Sequence, residues 1–207
     1  MYSVPMAIVD FIPVFLFLAG ALMLLKDLSA MPSKVSYALF CAGSIDVFLA
    51  GFLKALYKLL YAANVCDFQA LSNIFFPLQA LGFLMAGAGI LSAFLLPRKS
   101  RLYAAAPVFF SGTMLFVVLM VLGLGCEMGS LFAAATKMKK KGSRWFFIAS
   151  FVFSLMMGYL SSRDFTQSYM NWAAELINTL GMLCFFLGAR ALHRAGLNKY
   201  QWNRSDS

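Results

Sequence analysis

Apolar residues run along this chain in long blocks, and short polar stretches separate the blocks. A bilayer core about 30 Å thick takes about 20 apolar residues per helix. Blocks of that kind lie at Met6–Leu25, Ser36–Leu60, Ala70–Leu95, Trp145–Leu160 and Asn171–Arg190. The first is not a cleavable signal peptide, because no basic region precedes it and no small-residue cleavage site closes it. The stretch from Tyr103 to Met138 is too long for one span and barely long enough for two. A tight turn at Gly123-Leu124-Gly125 makes it a hairpin, whose short second arm, Cys126 to Met138, lets its lysines snorkel to the interface. The pattern predicts an all-α polytopic membrane protein with seven transmembrane helices.

Composition narrows the class further. The chain is 62% hydrophobic and 12% charged, with a mean hydropathy of +0.80. A soluble domain carries about 25% charged residues, so this chain cannot coat a water-facing surface. Disorder and disulfide frameworks are excluded by 22 phenylalanines against four cysteines. Cys41 and Cys184 lie in apolar blocks, Cys66 in a polar loop and Cys126 after the glycine-rich turn. No two have metal-ligand spacing, and His193, the single histidine, lies among basic residues. Zinc or haem needs convergent ligands, so no metal or other cofactor is expected. A Cys66–Cys126 disulfide is the one pairing that the topology below leaves open.

Charge orients the helices. With seven spans and the N-terminus outside, one side collects Lys26, Lys34, Arg98, Lys99, Arg101, Lys137, Lys139, Lys140, Lys141, Arg144, Arg190, Arg194, Lys199 and Arg204. Only Lys54, Lys58 and Arg163 remain elsewhere. Six spans give a weaker asymmetry, so the positive-inside rule favours seven, with the C-terminus cytoplasmic. The net charge of +9 is then a topology signal beside anionic lipid. Nucleic-acid binding by the Lys137–Arg144 run would need stacking platforms or a larger exposed domain, and neither is visible.

The second half matches the first. Cys66-Asp67-Phe68-Gln69 leads to Leu78-Gln79-Ala80-Leu81-Gly82, and Arg163-Asp164-Phe165-Thr166-Gln167 leads to Leu176-Ile177-Asn178-Thr179-Leu180-Gly181. Each has Asp-Phe at the start and an amide three positions before the glycine of a Leu-Gly pair; the second copy is two residues longer. The preceding blocks, Lys34 to Leu60 and Lys141 to Leu160, both follow basic loops. The plan is a parallel 3+1+3 repeat in a single bundle. A first triplet covers residues 6–96, a linking helix 103–121, a second triplet 122–194 and a cytoplasmic tail 195–207.

Over residues 6–194 that plan resembles the SWEET sugar transporters and their PQ-loop and nicotinamide riboside carrier relatives. It also resembles the microbial rhodopsins, likewise seven-helical. The resemblance is architectural and implies a central ligand site between triplets. Pro13 matches the SWEET-type proline on the first helix of a triplet, but Cys126 to Met138 has none. Asn171 to Ala189 lacks the lysine that would hold retinal.

Charges and amides inside apolar blocks carry the functional expectation, because each costs about 2.5–3.5 kcal/mol on insertion scales. Asp46 lies near the middle of the second block and reads as a coupling carboxylate or a helix-tying hydrogen bond. Asn171, Glu175, Asn178 and Met182 share one helical stripe that must face the bundle interior. Gln79 is the repeat partner of Asn178, and the two are expected across a central site. Asn73 cannot face the same point as Gln79, but Pro77 frees a carbonyl near it. Lys54 and Lys58 share a face at the outer end, with Tyr57 and Tyr61. Together with Asp10, Asp67, Glu127 and Asp164 they form either an outer vestibule or an ordinary interfacial belt.

Enzyme templates fail: no H-E-x-x-H, G-x-S-x-G or phosphate loop is present. The reading is a cell (inner) membrane protein that binds, and translocates, a small polar or amphipathic solute. Its binding residues are Asp46, Gln79, Asn171, Glu175, Asn178, Asn73 and Lys54. A homo-oligomer or a partner membrane subunit is compatible with this. A membrane receptor or scaffold is the second reading, and a lipid-modifying enzyme the third.

Overall fold

The apolar blocks fold as helices. The computed structural model describes residues 3–30, 33–94, 113–161 and 168–199. The elements are α1 (Val4–Val9), α2 (Phe11–Ser29), α3 (Lys34–Ala62), α4 (Ala70–Asn73), α5 (Phe75–Phe94), α6 (Thr113–Lys137), α7 (Lys141–Ser161) and α8 (Ser168–Arg194). A 3-10 turn, Leu197–Lys199, follows α8. Both interruptions precede a proline: α1 gives way to α2 at Asp10, before Pro13, and α4 to α5 at Ile74, before Pro77. Proline removes one helical N–H and crowds the carbonyl four residues back. α8 is followed by Gly196, whose φ of +80° suits glycine and turns Leu197 into the core, fully buried.

Among the described residues, six helical stretches are long and apolar enough to cross a membrane. The expected hairpin at Gly123-Leu124-Gly125 is not formed. These residues lie inside the uninterrupted α6, and the boundary drawn between 121 and 122 falls within that helix. Residues 103–112 of the expected linking helix lie outside the described residues. The glycines serve contact instead of a turn. A Cβ on Gly87 of α5 would come within 2.4 Å of the Gly123 carbonyl oxygen, so the two backbones touch there. In lipid a continuous helix satisfies its own backbone, whereas a turn at this depth would not. Cys126 is therefore in mid-helix, and Cys66 and Cys126 are both free thiols.

The helices close a ring. α2 packs on α3, α3 on α5, α5 on α6, α6 on α7, α7 on α8, and α8 returns to α2. Side-chain contacts give the directions. Ser36 Oγ meets Ser92 Oγ at 2.8 Å and Lys54 lies over Phe75, so α3 and α5 are antiparallel. Ser143 donates to the Gly188 carbonyl at 3.3 Å, while Gly181 faces Phe153, so α7 and α8 are antiparallel. Asp27 meets His193 at 2.8 Å and Phe17 stacks on Phe185, so α2 and α8 are parallel. α6 passes into α7 by a short turn and ends where α7 begins. Hence α2, α5, α6 and α8 run towards one face, and α3 and α7 run away from it. That face carries Lys26, Lys34, Lys137, Lys139, Lys140, Lys141, Arg190 and Arg194. α5 and α6 are consecutive yet parallel, so the described residues on either side of positions 95–112 stand at opposite faces.

Equivalent joints occur in the two halves. Ser36 and Phe40 of α3 meet α5 at Gly89, and Ser143 and Phe147 of α7 meet α8 at Gly188. Lys34, Ser36 and Phe40 stand at one common offset from Lys141, Ser143 and Phe147, and Gln79, Gly82 and Gly89 at another from Asn178, Gly181 and Gly188. Within the helices neither match needs a gap. Below the middle of the bundle, towards the basic face, the interior is filled by Leu24, Leu28, Phe40, Ile90, Leu131, Phe147 and Leu192.

Candidate functional site: a charged cavity inside the ring

The other half of the ring is hollow. A cavity of about 320 Å³ lies there, with walls from all six spans. That volume is within the range of small-molecule sites, about 300–1,000 Å³. α5 contributes Phe75, Phe76, Gln79 and Phe83, and α8 contributes Glu175, Asn178 and Met182. Phe48 and Lys54 come from α3, and Met157 with Ser154 from α7. The floor is aromatic: the Phe17 ring centroid lies 6.4 Å from that of Phe83 and 5.4 Å from that of Phe185 beneath it.

The charges of the cavity are built from three helices. Lys58 Nζ lies 2.5 Å from Asp10 Oδ2 and 2.7 Å from Glu175 Oε1. All three residues are buried. Each ion loses hydration worth several kcal/mol, which only close pairing offsets. Asp10 reaches this position because the α1–α2 break sets it at the head of α2. One oxygen of each acid, Asp10 Oδ1 and Glu175 Oε2, is buried with no hydrogen-bond partner among the described residues. The second lysine is held differently. Lys54 Nζ sits 3.8 Å from the centre of the Phe75 ring, a cation–π contact, and has no carboxylate partner among the described residues.

The expected binding residues divide into two groups. Lys54, Gln79, Glu175 and Asn178 line the cavity, with Gln79 and Asn178 contributed by α5 and α8. Asp46, Asn73 and Asn171 do not. Asp46 is half-buried on α3, one position before the inward-facing Val47, and makes no hydrogen bond or ion pair among the described residues. Asn73 is exposed on α4, and Asn171 is one turn too close to the start of α8. Of the vestibule set, Asp67 accepts a hydrogen bond from Tyr57 at 3.1 Å, and Asp164 lies outside the described residues.

Comparison with known families, characterised proteins and solved structures gives no match. The geometry of the site therefore carries the functional argument.

Three features were missed or misplaced in the sequence. Asp10 and Lys58 looked like outer-layer charges, although both sit inside apolar blocks, the same signal that singled out Asp46. Asp27 is fully buried and paired with His193 across α2 and α8, near the basic face. Glu127 was expected in the outer layer because of the hairpin. It is instead in mid-α6 and fully buried, and neither carboxylate oxygen has a partner among the described residues.

Proposed function

We propose that this chain is a solute-translocating membrane protein of two like triplets, α1–α5 and α6–α8, arranged as a parallel repeat. In this reading the basic face is cytoplasmic, as the positive-inside rule requires, and the cell membrane is its site. Parallel neighbours α5 and α6 leave Phe94 and Thr113 at opposite faces, which is compatible with a 3+1+3 plan. The observation that carries the reading is the cavity. All six spans line it, it joins apolar walls to amides and charges, and it stops at a phenylalanine floor with a filled core beneath. That is the form of a carrier open to one side. A ring of two pseudo-equivalent halves supplies the second arrangement, since the joints at Gly89 and Gly188 are alike and the seams α2–α8 and α5–α6 lie between the halves. Rocking along such seams is the recurrent mode of repeat-built carriers.

The test is flux. Proteoliposomes holding the purified full-length chain are given a panel of labelled amino acids, organic acids, amines, nucleosides and sugars. At least one should accumulate above protein-free vesicles, and Gly51→Trp, which fills the cavity from α3, should abolish its uptake. No flux of any probe, or flux unchanged by Gly51→Trp, overturns the proposal. A receptor would show ligand-dependent stabilisation with no flux.

A further inference from the structure

Among the described residues, the charges that line the cavity balance one another. Asp10 and Glu175 supply two negative charges, and Lys58 and Lys54 supply two positive ones. α5, α6 and α7 add no charged side chain to its walls; they contribute Gln79, Ser154 and apolar residues. A ligand of net charge entering alone would leave an uncompensated charge in a low-dielectric interior, which costs several kcal/mol.

The four groups are not equally available. Lys58 is spent on both acids. Lys54 rests on an aromatic ring at the cavity wall and is the ammonium free of a carboxylate among the described residues. It is therefore the group to meet a ligand anion. The acids have the opposite character. Their spare oxygens, Asp10 Oδ1 and Glu175 Oε2, each expose less than 1 Å² and lack a donor among the described residues. A solute cannot reach oxygens so enclosed, but a proton can. A carboxyl pair sharing one proton gains the missing donor and sheds one negative charge.

From this we infer that the cavity binds an amphipathic monocarboxylate at Lys54 together with one proton on the Asp10–Glu175 pair. The inference rests on the solute-binding reading above and names its substrate class. The anion enters, one proton from solution joins the acid pair, and the site stays neutral. A phosphate monoester, with close to two charges, would need a second proton on the pair, which would leave the buried Lys58 ammonium facing two neutral carboxyl groups. Gln79 and Asn178 donate to the carboxylate or to polar substituents, and Phe48, Phe75, Phe76 and Met157 bed the apolar body.

The experiment is calorimetric titration of the full chain in nanodiscs with hexanoate, hexanol, hexylamine, leucine and hexyl phosphate. It is run in two buffers of different ionisation enthalpy. Hexanoate is expected to bind at least about ten-fold tighter than the others, a difference of about 1.4 kcal/mol, with heats showing uptake of one proton per anion. Lys54→Gln should weaken hexanoate about ten-fold while leaving hexanol nearly unchanged. Asp10→Asn and Glu175→Gln should each bind hexanoate with buffer-independent heats; either variant suffices if the other fails to fold. Tighter binding of leucine, hexylamine or hexyl phosphate overturns the inference, as do buffer-independent heats in the wild type or an unaffected Lys54→Gln. Flux of another solute class with no hexanoate binding overturns the inference alone. Hexanoate binding without flux of any probe overturns translocation alone.

Discussion

The ammonium of Lys58 on α3 lies 2.7 Å from a carboxylate oxygen of Glu175 on α8, a residue 117 positions further along the chain. This pair, with Asp10 on the same ammonium, ties α3 to α8 and to the head of α2 at the wall of the cavity. Removing one partner of such a group leaves the others charged and buried. Lys58→Met should therefore destabilise the protein by about 3–5 kcal/mol, measured by unfolding in detergent. The triple variant Asp10→Asn, Lys58→Met, Glu175→Gln should recover most of that loss, because the uncompensated charges go with it. Equal destabilisation of the single and triple variants would show that packing, not charge, holds this junction.

Much of this architecture is legible in the sequence. The apolar blocks and the basic asymmetry are visible there, because insertion into lipid constrains composition and spacing so tightly. The turn at Gly123 was misread for a physical reason. In lipid, small residues mark helix contact as often as chain reversal, and only the partner helix, here Gly87 of α5, distinguishes the two. The site was half legible. Glu175 and Asn178 share one recognisable stripe and Gln79 is reached as the repeat partner of Asn178, but Asp46 differs from Val47 by one position in helical phase. That difference turned it from the cavity. Asp27 and His193 are far apart in sequence, and nothing local announces their pairing.

Gly43 and Gly129 should respond oppositely to a methyl group. A Cβ on Gly43 would lie 2.4 Å from both the Ala86 nitrogen and the Gly82 carbonyl oxygen, backbone atoms that cannot yield, whereas one on Gly129 meets nothing within 4 Å. Gly43→Ala is expected to cost about 1–3 kcal/mol by overpacking the α3–α5 crossing. Gly129→Ala should be neutral or stabilising by up to about 1 kcal/mol, through helix propensity. Thermal unfolding of the two variants side by side decides the matter; equal effects would contradict the crossing.

A position in the middle of α6 also tests the corrected topology. Gly125 faces Phe151 of α7 inside a continuous helix. In a background with the four native cysteines replaced by serine, Gly125→Cys should resist a membrane-impermeant maleimide from either side. Rapid labelling from the side opposite the basic face would restore the hairpin and remove the parallel arrangement of α5 and α6.

Glu127 presents a conflict between stability and use. Its carboxyl group is fully buried and both oxygens lack a partner among the described residues. An unsatisfied buried polar group costs about 1–3 kcal/mol. Glu127→Leu, close in volume and free of polar atoms, should raise stability by a similar amount. Under the carrier reading proposed above, a carboxyl retained at such expense is one the cycle uses, and the same variant should lose flux in proteoliposomes while folding better. Greater stability with undiminished flux would make Glu127 a passenger in the core.

The Asp27–His193 contact joins α2 to α8, close to the basic face and on the far side of the phenylalanine floor from the cavity. Asp27 is fully buried, and its Oδ2 already lacks a partner among the described residues, so the His193 contact at Oδ1 is its main compensation. His193→Ala should destabilise the protein by about 1–3 kcal/mol, and Asp27→Leu with His193→Ala should recover much of it. The measurement that separates a seal from a mere strut is access. If the contact closes this end of the ring, a cysteine at Leu24, beneath the floor, should label from the basic side faster in His193→Ala than in the wild type. Unchanged labelling would leave the α2–α8 seam sealed by the apolar core alone.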